Sequence, residues 1–363
     1  MKIGIDISQS AYEGTGVARF TKGLVRSILT YNRVHEYVFL FSSLRKQLDP
    51  LLEKEIRASK HQIIKLPVPP SALNFVWNTL HIGTVELLTN KLDWFVSSDW
   101  TQPPAHCKKA TIVHDLVFKR YPKTVAPSIL AVQEKRLQWV KKESDLIFAD
   151  SLTTADDLTV LLDIPTQKIV VNYPGVEILP AIKNDQLLHR LGISKPYILT
   201  VGKREPRKNL KRLAEAFRRM NDEKLQLVIV GPSGWGDLDI QPGKDIVVTG
   251  YVSDSDLATL YTSSLFFIFP SLYEGFGYPA VEAMKYGVPT ALADTSSLKE
   301  IGEEASVLFD PLDVKSIKDA LVAIRDNEKM RSDLIQKGMK RAQEFTWQRY
   351  YEKMMEAITL SSC

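Results

Sequence analysis

A chain of 363 residues exceeds the roughly 250–300 at which single cores stop growing, so two α/β domains are expected. Apolar residues at 44% and charged residues at 25% are ordinary for a globular chain, and no run nears the ~18 consecutive apolar residues of a membrane helix, so a soluble protein is expected. The net charge is +4 and only Cys107 and Cys363 are present, which excludes a disulfide framework or a cysteine-rich metal site and fits a reducing compartment.

The N-terminal MKIGIDI enters an alternating strand pattern directly, with no charged and then apolar leader, so a cytoplasmic location is expected. Residues 1–178 carry 22 Lys plus Arg against 18 Asp plus Glu, while the remainder has 25 of each. The excess gathers in Lys108-Lys109, Lys119-Arg120-Lys123, Lys135-Arg136 and Lys141-Lys142. Such clusters are either a solvated face or a surface for anionic lipid, which attracts each nearby basic side chain by about 1 kcal/mol. A peripheral position at the inner membrane face would follow from the second reading. No nucleic-acid partner is expected.

Short apolar runs alternate with helix-period segments, the pattern of βαβ units with parallel strands. In chain order the first half predicts strands at 2–7, 36–41, 62–66, 93–97, 110–114, 145–149 and 168–171. Between the first two, Val17, Phe20, Leu24 and Ile28 form one stripe of an amphipathic helix that begins at Gly14-Thr15-Gly16. From about 173 to 196, Pro174, Gly175, Pro180, Gly192 and Pro196 interrupt the periodicity, which places a domain boundary there. The domains expected are 1–178 and 197–343. Strands follow at 197–201, 225–230, 245–249, 265–269, 289–292 and 305–309, with helices near 209–221, 254–262, 278–286, 296–302 and 313–343. A final helix over 346–360 carries Trp347, Tyr350, Tyr351, Met354 and Met355, too much apolar surface for a free tail, and is expected to pack back on the first domain.

Two segments carry chemistry. The run Val201-Gly202-Lys203-Arg204-Glu205-Pro206-Arg207-Lys208-Asn209 follows the first strand of the second half and sets four cations in six positions. At a strand end and before a helix N-terminus, those cations can stabilise a pyrophosphate through charge-assisted hydrogen bonds and the helix dipole, and Asn209 is a candidate cap. The other reading is a solvated basic turn. The second segment, Ser271 to Glu282, places Glu274 in a glycine loop and Glu282 on the helix behind it. Gly275 and Gly277 allow close backbone approach to a ligand, and the two carboxylates suit the hydroxyls of a sugar and a ribose. A structural reading makes Glu282 a buried residue paired with a nearby lysine.

With these residues in view, the chain resembles family 4 of the glycosyltransferases, among the group 1 enzymes. Glu274 and Glu282 look like that family's E-x7-E motif, and the stretch ending Arg207-Lys208-Asn209 looks like its pyrophosphate-binding segment. The resemblance implies the GT-B fold, an α/β architecture of two Rossmann-like doubly wound domains facing a central cleft. It implies that Arg207 and Lys208 bind the donor phosphates, and that Glu274 with the amides of Gly275, Phe276 and Gly277 holds the transferred sugar. Glu282 would then accept from the ribose hydroxyls. Many members have Arg immediately after the glycine, where this chain has Lys203 beside Gly202. Gly16, in Gly14-Thr15-Gly16, resembles a loop that approaches the donor, and His114 of His114-Asp115 resembles a histidine beside the sugar. Asp150-Ser151, the Val230-to-Trp235 segment and Gly250-Tyr251-Val252 match further segments, with Val252 near the base. Asp237-Leu238-Asp239 and Asp254-Ser255-Asp256 have the form of a metal-holding DxD pair. Ser253 with Asp256 fits a helix capping box instead, and neither a metal nor another cofactor is expected.

The activity implied is retaining transfer of a hexose from a nucleotide-diphosphate sugar to a hydroxyl of a glycan or lipid-linked saccharide. The Gly231-to-Trp235 segment resembles mannosyltransferase-like members, which makes GDP-mannose the first donor and a UDP- or dTDP-hexose the second. Nucleotide-sugar 2-epimerases and an inactive nucleotide-sugar-binding module are the competing readings.

Overall fold

The computed structural model describes residues 1–12, 14–182, 184–234, 240 and 242–362, so Trp235, Asp237, Leu238, Asp239 and Cys363 lie outside the described residues. The chain divides into two compact units, Met1–Gly175 with Thr346–Cys363, and Val176–Phe345.

Among the described residues the first unit is built on seven parallel strands: β1 (Lys2–Asp6), β2 (Glu36–Ser42), β3 (Gln62–Leu66), β4 (Trp94–Ser97), β5 (Lys108–Val113), β6 (Leu146–Ala149) and β7 (Ile169–Val171). Their order is β3-β2-β1-β4-β5-β6-β7. The inner strands are buried along nearly their whole length, as strands of a sheet covered on both faces must be, which is why they read as continuous apolar runs. Helix Gly16–Tyr31 starts where Thr15 accepts a hydrogen bond from the Ala18 amide at 3.2 Å, and it buries Phe20, Leu24, Val25 and Ile28.

Two of the basic pairs expected at the surface are only half exposed. Arg136 lies on the face of helix Pro127–Glu143 that also carries Gln133, Leu137 and Val140, and it is fully buried. Its guanidinium donates to the Thr111 hydroxyl and the Ile112 carbonyl, each at 2.8 Å, and pairs with Asp99 at 3.2 Å. Lys109 is buried in β5 and paired with Glu143 at 2.5 Å. Helical spacing and strand alternation turned one member of each pair inward, which a count of adjacent charges does not register.

The second unit repeats the plan with six parallel strands among the described residues: β8 (Tyr197–Val201), β9 (Gln226–Val230), β10 (Ile246–Gly250), β11 (Phe266–Phe269), β12 (Thr290–Ala293) and β13 (Val307–Phe309). Their order is β10-β9-β8-β11-β12-β13. The single helix expected over 313–343 is two, Val314–Asp326 and Glu328–Ala342. Asn327 interrupts them with extended backbone, and its side chain accepts from the Met330 amide at 2.9 Å, so it caps the second helix. Helix Trp347–Leu360 belongs to the first unit, where Trp347, Tyr350, Met354 and Ile358 are buried.

No helix among the described residues is long and apolar enough to cross a membrane.

Candidate active site

In the second unit β8 and β11 are neighbours, but the chain leaves β8 toward β9 and β10 and leaves β11 toward β12 and β13. Loops that diverge from the carboxyl ends of two such strands leave a crevice, the usual ligand position in an open parallel sheet. The two segments singled out in the sequence are these two loops, Gly202–Asn209 after β8 and Pro270–Gly277 after β11.

The loops are laced together. The Leu272 amide donates to the Arg207 carbonyl at 2.9 Å, and Arg207 Nη1 donates to the Tyr273 carbonyl at 2.5 Å. Asn209 stands at the start of helix Leu210–Arg218, yet its side chain makes no cap. Instead its Nδ2 donates to the carbonyls of Pro270 at 3.1 Å and Pro311 at 2.7 Å, tying three loops at one point. Close backbone approach behind the first loop requires Gly231, whose φ is 143° and where a Cβ would stand 2.1 Å from the Gly202 carbonyl oxygen.

This lacing sets Glu274 between two cations. Its Oε1 lies 2.5 Å from Lys208 Nζ and its Oε2 lies 2.9 Å from Arg207 Nη1, while Glu205 holds the other arm of Arg207 at 2.5 Å. Burial alone would raise the Glu274 carboxyl, but the Arg207 and Lys208 charges and the Lys208 hydrogen bond hold it down at about 2. Burial, with Arg207 beside it, lowers the Lys208 ammonium against the pull of Glu274. Ser297 donates to the carbonyls of Glu274 and Phe276 at 2.9 and 2.8 Å, and Ser296 accepts from the Glu274 amide at 3.0 Å. Gly275 and Phe276 are buried in that loop, and Gly277 leads into helix Tyr278–Lys285 with φ 105°.

The other residues of the second unit expected at the donor are placed as follows. Glu282 is buried on helix Tyr278–Lys285, and its Oε2 accepts from the Tyr261 hydroxyl at 2.9 Å. Lys203 is exposed, with its side chain passing Gly234. Val252 is half-buried in the turn that leaves β10. In the DxD pair that is described, Ser253 accepts from the Asp256 amide at 3.1 Å and caps helix Asp254–Thr262, and Asp256 faces Arg190 at 3.6 Å.

In the first unit His114 follows β5 and Asp150 follows β6, its neighbour in the sheet. The His114 Nδ1 and an Asp150 carboxylate oxygen are 2.7 Å apart. Burial would depress the imidazole, but Asp150, with Asp99 and Asp115 behind it, raises it to about 9. The Phe20 and His114 rings meet edge to face with their centroids 4.6 Å apart, which links the histidine to helix Gly16–Tyr31. Gly16 is exposed, and a Cβ there would meet nothing within 4 Å.

Three supporting groups escaped the sequence reading as partners: Glu205 on Arg207, the Ser296–Ser297 pair under the glycine loop, and Asp150 on His114. Asp150 had the same signal as His114, a polar residue just past an apolar strand, and the adjacency of β5 and β6 supplies the rest.

Arranged in this way, two cations on one buried carboxylate can neutralise an anionic leaving group while the carboxylate orients a polar substrate. Residues 189–341, which include both loops, match the family model of group 1 glycosyl transferases. The chain is 26% identical to the O-antigen chain mannosyltransferase B of Escherichia coli over 99% of its own length and 100% of that protein. It is 25% identical to the serotype-specific mannosyltransferase WbdA of Escherichia coli over 60% of this chain, which spans 29% of that longer protein. Among solved structures, HepE of Anabaena in complex with UDP and glucose superposes with a TM-score of 0.73 at 16% identity, covering 100% of both chains. The two doubly wound units are those of the GT-B fold. Across the unit that carries Arg207, Lys208 and Glu274 the chain matches the family model of the group 1 glycosyl transferases, and end to end it is similar to an O-antigen mannosyltransferase.

Proposed function

We propose that this glycosyltransferase moves mannose from GDP-mannose, with retention of anomeric configuration, to a hydroxyl of a glycan or lipid-linked saccharide. The observation that carries the reading is the Arg207–Glu274–Lys208 cluster at the carboxyl ends of β8 and β11. Departure of the nucleoside diphosphate leaves negative charge that Arg207 and Lys208 are placed to neutralise, with Lys203 at the loop's exposed side. A carboxylate held near pKa 2 is a weak base and a poor nucleophile, so Glu274 orients the sugar hydroxyls through an oxocarbenium-like transition state and does not attack it. Gly202, with Gly275, Phe276 and Gly277, contributes backbone groups to the donor. Glu282 takes the ribose and Val252 lies toward the base. Mannose is supported by the names of the relatives, the O-antigen mannosyltransferase B and WbdA. Charge neutralisation by side chains needs no metal in this reading. A cytoplasmic enzyme working on a lipid-borne acceptor is the setting that fits the basic first unit.

A thermal-shift panel with GDP, UDP, dTDP and ADP, run in EDTA, tests it. A ligand at 100-fold its dissociation constant adds about 2.7 kcal/mol of stability, which raises the melting temperature by a few degrees. A rise selective for GDP is expected. A rise selective for UDP or dTDP replaces the donor, and no rise with any nucleotide overturns the donor site.

A further inference from the structure

Helix Gly16–Tyr31 ends at a turn, residues 32–35, and packs beside helix Trp347–Leu360 within the first unit. An open groove of about 530 Å³ runs between the turn and the second helix. Tyr351 and Met355, each 8% exposed, form its floor, while Tyr31, Val34 and Leu360 stand at its rims, 38%, 77% and 71% exposed. The backbone under these rims is firmly held. Asn32 accepts from the Val34 and His35 amides at 3.3 and 3.0 Å and from the Tyr351 hydroxyl at 3.2 Å, and it donates to the His35 carbonyl at 2.8 Å. Beyond Leu360, the Ser362 hydroxyl accepts from the Trp94 indole at 2.8 Å and donates to the Ile358 carbonyl at 2.7 Å. Large apolar side chains exposed around one groove on a fixed base gain nothing from folding where they stand, and they mark a binding surface.

The charges of the groove are sorted by wall. Helical spacing sets Glu352, Glu356 and Leu360 in one row, and Arg33 stands on the turn opposite, with Lys60 reaching the Arg33 carbonyl at 3.4 Å. Arg33, Glu352 and Glu356 are all exposed. Lys353 and Glu36, which would mix the signs, line neither wall. Burial, the amino terminus and Lys60 lower the His35 imidazole, so it adds no charge at neutral pH. Among the described residues no ion pair joins the walls: Arg33 donates to the Asn32 carbonyl at 3.0 Å, and Glu352 accepts from Gln348 at 2.9 Å. The polar atoms of Asn32 and Tyr351 are spent on each other, which leaves the floor poor in groups for a small polar ligand. An occupant must instead bring acid to Arg33, base to Glu352 and Glu356, and apolar surface between them.

We propose that this groove is the interface of a two-fold symmetric homodimer, in which Arg33 of each copy lies against Glu352 and Glu356 of the other around Tyr31, Val34 and Leu360. A two-fold interface presents the same patch from both copies, so the patch must complement itself. A basic wall and an acidic wall about an apolar middle meet that condition when one copy is turned onto the other. A partner of different sequence would have to carry this arrangement of charges, which a second copy already has. The groove lies by the amino end of β2, whereas His114 follows the carboxyl end of β5 in the same parallel sheet, so pairing here leaves the loops around His114 open. The inference does not depend on which donor or acceptor the enzyme uses.

The experiment is sedimentation of the full chain across a dilution series, combined with charge exchange. The parent is expected to sediment as a dimer at tens of micromolar and to dissociate on dilution. Arg33→Glu alone, or Glu352→Arg with Glu356→Arg, sets like charges together at both symmetric contacts and should raise the dimer dissociation constant by about 100-fold or more. Mixing the two variants restores opposite charges at both contacts and should give a heterodimer of near-parent affinity, and the chain carrying all three changes should pair with itself. Val34→Ser with Leu360→Ser should weaken pairing by about tenfold or more. A parent that stays monomeric, an assembly larger than a dimer, charge variants that pair like the parent, or a mixture that stays monomeric would overturn the proposal. Turnover per chain, expected to be unchanged in the monomeric variants, reads the enzyme separately from its pairing.

Discussion

Glu274 and Lys208 cannot be altered one at a time without consequence, because Glu274 is buried, Lys208 is half-buried against it at 2.5 Å, and Arg207 shares the same carboxylate. Removing one partner of a buried pair strands the other, at a cost of about 3–5 kcal/mol, here reduced by Arg207. Lys208→Ala is therefore expected to destabilise the second unit and to lower turnover by roughly 100-fold or more, the usual effect of deleting one preorganised charge stabiliser. Pairing Lys208→Met with Glu274→Gln should return stability in urea unfolding while turnover stays low. Turnover within twofold of the parent in Lys208→Ala would remove the leaving-group role. The folded-state pKa of Glu274 is depressed from 4.5, so its contribution is fully present above about pH 4.5 and lost as pH falls toward about 2. These three residues were legible in the sequence because they lie directly after apolar strands that the topology makes neighbours. Asp150 was not read as the partner of His114 because the contact spans 36 positions and depends on β5 lying beside β6. The imidazole is raised from 6.5 to about 9, so the stability of its charged form is complete below 6.5 and disappears as pH rises to about 9. In Asp150→Asn, burial acts with less opposition, and the His114 midpoint is expected to fall below its parent value by at least one unit. NMR titration of the ring reads this directly, and an unchanged midpoint would break the assignment of Asp150 as the group that holds the imidazole charged.

Elements were read more reliably than their ends or their partners. Every strand expected from an apolar run is present within two residues, because a strand buried on both faces has no other way to look. The merged helix at 313–343 failed for a physical reason: helical periodicity continues in phase on both sides of Asn327, and only the cap chemistry of that side chain reports the break. Asn327→Ala should cost about 1 kcal/mol in urea unfolding, the usual value of a lost N-cap, with little change in turnover. A change below a few tenths of a kcal/mol would mean that packing of the two helices sets the break and the cap does not. Arg136 failed likewise, since its burial depends on which face of its helix the sheet covers.

At the scale of the molecule, the last helix joins the chain's end to its beginning, and its anchor is Trp347. Gly23 and Gly175 make room for that ring, for a Cβ on either would stand 2.0 or 2.4 Å from it. Its faces and edges meet Phe20 and Tyr350, each at 5.5 Å between centroids, and Phe20 in turn meets His114 at 4.6 Å. Further along the helix, Asn172 donates to the Tyr350 carbonyl at 3.0 Å and the Tyr37 hydroxyl to the Met355 sulfur at 3.1 Å. The helix thus closes the first unit's core and backs the packing under His114, while both loops that hold Glu274 lie in the second unit. Trp347→Ala leaves a large void between glycines that cannot fill it and should cost about 3–5 kcal/mol. Hydrogen exchange should then lose protection across 1–175 and 346–362 and keep it across 176–345, and the shift on binding nucleoside diphosphate should persist. If protection fell equally in both units, the helix would stabilise the whole chain; if it fell in neither, Trp347 would not be the anchor, and the hydrogen bonds of Asn172 and Tyr37 would have to hold the helix without it.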